Sequence, residues 1–273
     1  MILGKGLPNL GNTCYINTIL QCLRYTKHFV ILFKEYDAKE ETNLIRCFID
    51  LLYSGSTKKT LNSFIHYLAL SNCEFKMLKQ GDAHELYLYL IDTLYTPMSF
   101  TFKNVFKGCL QSVVECKTCQ HKSITKTPFI SLSVPMIPDK IQSVKELVNE
   151  FCKEEILEER IQCDKCNQRQ ISSRKMHIFK KPDILVIHVK RFQGLYKITT
   201  PIIMNTVLTL QDTEYKLYSI CNHVGSVRSG HYTAACKRRD NTWLMCNDDR
   251  INNLNSLPTQ SPLPYILFYS LMK

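Results

Sequence analysis

Apolar residues recur at Ile16, Ile19, Leu20 and Leu23, the i, i+3, i+4, i+7 spacing of one helical face, with Thr13 at the expected N-cap. This pattern predicts an amphipathic helix from Thr13 to about Lys27. Helical periods follow over roughly Asn43–Tyr53 and Leu61–Leu70. Another runs from about Ala83 to Tyr95, opened by Asp82 and ended before Pro97. From Phe100 the texture changes to short runs rich in β-branched and aromatic residues: Val105–Glu115, Phe129–Val134, Ile184–Val189, Tyr215–Cys221 and Tyr232–Cys236. One helix interrupts them at about Val144–Glu154, opened by the capping-box pair Ser143 and Glu146. A helical half followed by a mostly antiparallel half makes the class α+β. No repeat, low-complexity tract or Gly/Ser linker divides the 273 residues, so they read as a single domain.

Composition narrows the class of function. With 45% hydrophobic and 22% charged residues the chain can build a substantial core, and no run of 18 apolar residues suggests a membrane span. The first residues, Met1 to Pro8, lack the apolar stretch of a secretion signal, so an intracellular protein of the cytoplasm or nucleus is expected. Thirty-five Lys and Arg against 24 Asp and Glu give a formal charge of +11, but the basic residues are scattered and not interleaved with aromatics. That distribution argues against nucleic acid as the partner. Thirteen cysteines in a reducing compartment point to metal binding or catalysis rather than disulfides. Five of them, Cys14, Cys116, Cys119, Cys163 and Cys166, stand in informative surroundings.

Cys14 closes the run Gly6-Leu7-Pro8-Asn9-Leu10-Gly11-Asn12-Thr13, so a loop with two glycines and two asparagines delivers it to the first turn of a helix. Unpaired N–H groups and the helix dipole favour the thiolate there, and backbone donors with the Asn9 side chain could form an oxyanion hole. An isolated cysteine in this place could equally be an ordinary start to a core helix. The second half of a catalytic pair lies near the other end. The stretch Ser229-Gly230-His231-Tyr232 through Trp243…Asn247-Asp248-Asp249 reads as a β-hairpin with its turn near Arg238–Asn241. His231 then falls opposite Asn247 or Asp248, a histidine facing the amide or carboxylate that would orient it. His223 is a rival, but it lies outside the hairpin pairing. The hairpin does not separate Asn247 from Asp248.

Cys116-Lys117-Thr118-Cys119 and Cys163-Asp164-Lys165-Cys166 are two CxxC pairs, each able to present two thiolates at a tight turn. Together they could complete a closed tetrahedral Cys₄ zinc site, structural because it leaves no open position. The alternative is two pairs of idle thiols.

These residues resemble the ubiquitin-specific protease family. Gly6–Asn17 is similar to that family's cysteine box, and Gly230-His231-Tyr232 through Trp243…Asn247-Asp248 to its histidine box. Between and after them, in the family's order, come Gln80-Gly81-Asp82-Ala83-His84-Glu85, Phe129-Ile130-Ser131-Leu132, Pro182-Asp183-Ile184-Leu185…Lys190-Arg191-Phe192 and Tyr265-Ile266-Leu267-Phe268-Tyr269. The resemblance implies a papain-like α+β fold: a helical thumb over about 1–100, mainly fingers with a zinc-bound tip over about 101–185, and a β palm over about 186–273. It implies a monomeric deubiquitinase that acts on ubiquitin and ubiquitinated proteins. Cys14 would be nucleophile, His231 general base, Asn247 the third member with Asp248 beside it, and Asn9 the oxyanion donor. Asp82, Glu85 and Tyr232 would contact the ubiquitin tail, whose arginines call for carboxylates. Asp82 and Glu85 could also be a helix-capping pair. Gly81, Ser229 and Cys246 depart from the family's usual Gln, Gly and aromatic, and the chain is short for the family, without evident recruitment modules. Two rivals are a catalytically silent ubiquitin-binding module on the same fold and a basic zinc protein that binds nucleic acid.

Overall fold

The computed structural model describes residues 4–34, 36, 41–53, 58–76, 78–102, 105–227 and 229–272, the side chains of 28, 29 and 96–102 excepted. The first part is helical: α1 (Cys14–Arg24), α2 (Lys27–Lys34), α3 (Asn43–Tyr53), α4 (Lys58–Ser71) and α5 (Ala83–Phe102). Two boundaries differ from expectation. The first predicted helix splits at Thr26, whose hydroxyl bonds back to the Cys22 carbonyl. Helix α5 runs through Pro97 to Phe102. A proline removes one amide donor and crowds the carbonyl four residues back; the burial of Leu86, Tyr87, Leu90, Ile91 and Leu94 offsets that cost.

Helix α1 is not an amphipathic surface helix. All eleven of its residues are buried, including Asn17, Thr18, Gln21 and Arg24. Its polar side is hidden because the N-terminal loop and α3 lie against it, and the side chains find backbone partners on both. Gln21 Nε2 donates to the Lys5 carbonyl at 2.9 Å, and Arg24 Nε to the Leu51 carbonyl at 3.0 Å.

Strands follow: β1 (Gly108–Cys116), β2 (Lys122–Phe129), β3 (Leu132–Pro135) and β4 (Gln142–Ser143). Helix α6 (Val144–Phe151) comes next, opened by Ser143 with both halves of the expected capping box formed, though it stops three residues short of the predicted end. Then come β5 (Glu155–Ile156), β6 (Ile161–Cys163), β7 (Gln168–Gln170), β8 (Ser172–Lys180), β9 (Ile184–Lys190), β10 (Phe192–Gln193), β11 (Tyr196–Lys197) and β12 (Ile202–Ile203). The last are β13 (Val207–Leu210), β14 (Thr213–Gly225), β15 (Gly230–Lys237), β16 (Trp243–Asn247), β17 (Arg250–Leu254), β18 (Gln260–Ser261) and β19 (Pro264–Leu271).

One eight-stranded sheet, ordered β17-β16-β15-β14-β19-β9-β3 with β13 added on β14, divides the core in two. Side chains alternate across it with the period of two that strands impose. Ile184 and Val186 of β9, with Ile266 and Phe268 of β19, face the helices. Leu185 and Ile187, with Leu267 and Tyr269, face the other way, toward α6 and its Val144, Leu147 and Val148. A second sheet, β2-β1-β8-β5, extends from this body, and β2 is solvent-exposed on both faces up to Phe129. Among the described residues no helix is long and apolar enough to cross a membrane.

Candidate active site

The loop before α1 is shaped by its asparagines. Gly11 and Asn12 take positive φ (100° and 54°), turning the chain sharply into the helix. Asn9 Oδ1 accepts from the Gly11 N–H at 3.0 Å and from the Thr13 N–H and hydroxyl at 3.3 Å each. Thr13 stands at the N-cap without capping; its hydroxyl accepts from the Leu10 N–H at 2.9 Å instead. Asn17 Nδ2 reaches back to the carbonyls of Leu7 (3.1 Å) and Pro8 (3.2 Å).

Cys14 therefore opens α1 in a fixed place, 3% exposed. The helix start alone favours a thiolate, but the surroundings reverse that expectation. Burial is the largest influence and raises the thiol above its ordinary value. The Tyr232 N–H opposes this, the Asp248 charge adds to it, and the N–H groups of Tyr15 and Cys14 oppose it again. The resting residue is a thiol that needs a base.

The Tyr232 N–H that approaches the sulfur follows His231 in the chain. His231 sits near the start of β15, paired with Val224 of β14. The β15–β16 ladder pairs Ala234 with Cys246, so the hairpin register is one or two places longer than its turn residues suggest. His231 lies beyond the last ladder pair and meets Asn247 diagonally, Nε2 to Oδ1 at 2.7 Å. An amide oxygen only accepts, so Nε2 carries the proton and the Nδ1 lone pair is free. His223 is walled in by Phe192 and Tyr232, ring centroids at 5.3 and 4.6 Å. A Cβ on Gly230 would come within 2.1 Å of its Nε2, so only glycine fits there. Gln80 Nε2 grips the Gly230 carbonyl at 2.9 Å, fixing the chain just before His231.

Asp248 does something other than orient the histidine. Its Oδ2 accepts from Asn9 Nδ2 at 3.0 Å and its Oδ1 from Asn17 Nδ2 at 2.8 Å. Its carbonyl accepts from the Leu7 N–H at 2.9 Å. Gly6 lies so close that a Cβ would stand 2.3 Å from the Asp249 carbonyl oxygen. The end of β16 is thus fastened to the loop that carries Cys14. Asn17, missed in the sequence, is the buried centre of this fastening; the available signal was an amide on a helix turn otherwise made of core residues.

Asp82 both caps and reaches. Its Oδ1 accepts from the N–H groups of His84 (2.7 Å) and Glu85 (3.0 Å), and its Oδ2 from the Tyr265 hydroxyl at 2.6 Å and that of Tyr232 at 3.5 Å. Tyr265 appears in a family-like run, yet nothing local marked it as a partner of Asp82. Tyr232, expected at the substrate, is 3% exposed and touches Asp82 instead. Glu85 is exposed, and burial with the Asp82 charge raises its carboxyl above the ordinary range. Gly81 leaves room for Tyr15, whose ring a Cβ there would meet at 2.6 Å. Cys246 is buried against Cys236 rather than lining an open cleft. Ser229 belongs to a tight turn, its N–H donating to Ser226 Oγ at 3.2 Å.

Beneath Asp82, the rings of His84 and His188 stack at 3.8 Å with an interplanar angle of 16°. Each bonds a serine: His84 Nε2 to Ser131 Oγ and His188 Nδ1 to Ser133 Oγ, both at 2.9 Å. Burial holds His84 down to about 4 and His188 to about 2, the latter helped by its neighbour. Unfolded histidine takes its proton near 6.5, so stability is complete above that pH and falls as pH drops below it, by up to about 1.4 kcal/mol per pH unit per histidine. Thermal melts between pH 6.5 and 4.5 should therefore show a steep fall in Tm that flattens in His188→Gln. Equal slopes for the two proteins would contradict this account.

The four cysteines of the CxxC pairs converge at the end of the β2-β1-β8-β5 sheet. Cys116 ends β1 opposite Ser172 of β8, and Cys163 and Cys166 frame the β6–β7 turn. Their sulfurs all lie within 4.8 Å of one another, Cys116 to Cys166 at 3.9 Å and Cys119 to Cys163 at 3.6 Å. Bonds of about 2.3 Å from a tetrahedral Zn²⁺ give sulfur–sulfur edges of about 3.8 Å, so the donor set fits that ion. The Cys119 N–H lowers the Cys116 thiol, while hydrogen bonds with Cys119, Cys163 and Cys116 raise that of Cys166, so the four do not all ionise without a cation among them.

A family model for ubiquitin carboxyl-terminal hydrolase matches residues 5–269. Ubiquitin carboxyl-terminal hydrolase 25 of Arabidopsis thaliana is 30% identical over 97% of this chain and 47% of its own length. Ubiquitin carboxyl-terminal hydrolase 8 of Saccharomyces cerevisiae is 26% identical over 98% of this chain and 70% of its own. The chain thus spans about half the length of the first of these relatives. A chain of the SAGA Ubp8/Sgf11/Sus1/Sgf73 DUB module bound to ubiquitin aldehyde matches with a TM-score of 0.86 and 25% identity, covering 98% of this chain and 70% of that one. The module bound to monoubiquitin gives 0.86 and 26%, covering 98% and 69%.

Proposed function

Because the chain belongs to the ubiquitin carboxyl-terminal hydrolase family, we propose that it is a cysteine-type deubiquitinase that hydrolyses the bond after the C-terminal glycine of ubiquitin. Ubiquitin is the partner that the similar SAGA modules hold, and the α+β fold here is theirs. The observation that carries the reading is the 2.7 Å contact between His231 and Asn247, beside the Tyr232 N–H that reaches the Cys14 sulfur at the start of α1.

In this reading His231 Nδ1 takes the Cys14 proton as the sulfur attacks the glycine carbonyl. The oxyanion is met by backbone N–H groups of the first turn of α1 and by the second amide hydrogen of Asn9, the first being held by Asp248. His231 then protonates the departing lysine amine, leaving a thioester on Cys14. Water, deprotonated by His231, attacks the thioester and releases the ubiquitin carboxylate and the thiol. Asp82 and Glu85 supply carboxylates for the arginines of the ubiquitin tail. Cys116, Cys119, Cys163 and Cys166 hold a structural Zn²⁺, which ties the tip of the extended sheet together. The many unpaired thiols support an intracellular, reducing location.

The test is covalent. A ubiquitin bearing a C-terminal propargyl group should label the protein at Cys14, and a ubiquitin–fluorophore conjugate should be turned over. Ubiquitin binding without labelling or turnover would identify a ubiquitin-binding module, and labelling that persists in Cys14→Ala would refute the nucleophile.

A further inference from the structure

Residues 78–82 run between the two halves of the candidate active site and touch both. The Leu78 carbonyl accepts from Asn12 Nδ2 at 2.8 Å, and Leu78 Cδ2 sits against Gly11, 2.7 Å from where a Cβ would stand. Gly11 and Asn12 belong to the loop that delivers Cys14. Gln80 donates to the carbonyl of Gly230, the residue before His231, and Gly81 makes room for the ring of Tyr15, the residue after Cys14. Asp82 receives the hydroxyls of Tyr232 and Tyr265. One short stretch of chain thus meets the neighbours of the nucleophile and of its base.

The end nearest the nucleophile is strained. The Lys79 N–H donates to the Lys76 carbonyl at 3.3 Å, closing a turn with Leu78 in its third place at φ 67°. Left-handed backbone in that place selects glycine or asparagine, because a Cβ crowds the following carbonyl. Burial does not account for the leucine, since 72% of it is exposed. The turn does not need it either, because glycine would close the same turn without strain. A residue kept in a sparsely populated conformation needs surroundings that over-determine it. Around Leu78 those include Gly11 and Asn12, themselves left-handed at φ 100° and 54°.

A single exposed leucine is ordinary on a protein surface. That reading leaves unexplained why a place suited to glycine carries a leucine whose methyl and carbonyl both meet the nucleophile loop. We infer that residues 78–82 set the gap between Cys14 and His231, and that Leu78 is a positioning residue. Its side chain and carbonyl hold Gly11 and Asn12 so that the Cys14 sulfur stays within reach of the His231 ring. Leu78 acts through the loop rather than on the reacting atoms. The inference rests on the proposed cysteine-protease chemistry and adds a residue to it.

Turnover of the ubiquitin–fluorophore conjugate and thermal melts of Leu78→Gly, Leu78→Met and Asn12→Gly test it. In Leu78→Gly, kcat should fall about tenfold or more while KM stays near the wild-type value, because a displaced nucleophile loses rate rather than affinity. Its Tm should hold or rise, since the strain released offsets the freedom that glycine adds to the unfolded chain. A merely structural leucine does not give loss of rate without loss of stability. Leu78→Met keeps an apolar reach to Gly11 and should recover most of kcat. Asn12→Gly removes the second contact without adding a left-handed Cβ. Combined with Leu78→Gly its effect should be less than additive, because both act through one contact. An unchanged kcat in Leu78→Gly, a loss confined to KM, no recovery in Leu78→Met, or full additivity would each overturn the inference while leaving the deubiquitinase reading intact. A wild-type protein that turns over no conjugate would remove that reading and the inference with it.

Discussion

Asp248→Ala is expected to lower kcat/KM on a ubiquitin–fluorophore substrate by roughly 10²–10³-fold, the scale of losing an oxyanion donor. The fall should appear in kcat rather than KM. The Asp248 carboxylate holds Asn9 at 3.0 Å and Asn17 at 2.8 Å, and hydrogen bonds to a charged group contribute about 1.5–3 kcal/mol each. Without it the amide of Asn9 is no longer aimed, and Asn17 keeps only the two loop carbonyls. The pH profile separates this role from that of Asn247. Asp248 raises the Cys14 thiol, so its removal should shift the alkaline limb of kcat/KM to lower pH. Asn247→Ala instead frees the His231 ring and changes the base. Asp248→Asn should recover part of the loss, since one oxygen still accepts. An Asp248→Ala enzyme with unchanged kcat would remove Asp248 from the mechanism.

Removing a metal ion from the Cys₄ cluster, or replacing Cys163 by serine, is expected to cost of order 4–5 kcal/mol of stability, as loss of a structural site does. Four sulfurs gathered within 4.8 Å of one another have no disulfide among the described residues to keep them there, and β2 contributes little burial of its own. The damage should concentrate at the end of the extended sheet. Thermal melts with and without a zinc chelator, read beside kcat and KM, check this: Tm falls and KM rises while kcat moves least. A chelator-treated protein with unchanged Tm would show that the cluster carries no structural ion.

Much of this was legible because it is local. The capping box at Ser143, the helix at Asn43–Tyr53 and the CxxC turns depend on residues a few places apart. Cys14 and His231 were legible as a loop-to-helix cysteine and a hairpin histidine. The choice between Asn247 and Asp248 was not, because turn residues set a hairpin register only to within a place or two, and the contact is diagonal. Asn17 and Gln21 looked like the solvent side of an amphipathic helix; a loop folding over that side buries them. Pro97 should have ended α5, but burial along one helix face outweighed a single lost donor. What sequence pattern missed was tertiary burial and the pairing of distant polar groups.

The fastening of Asp248 to Asn9 spans 239 residues. During synthesis Cys14 leaves the ribosome 217 residues ahead of His231 and 234 ahead of Asp248, the carboxylate that holds its loop. Until those residues emerge, the growing chain carries Cys14 with neither His231 nor Asp248 available to it. On the proposed reading, competence waits for β15 and β16 to pack against α1, so the order of residues along the chain keeps the thiol without its partners until then.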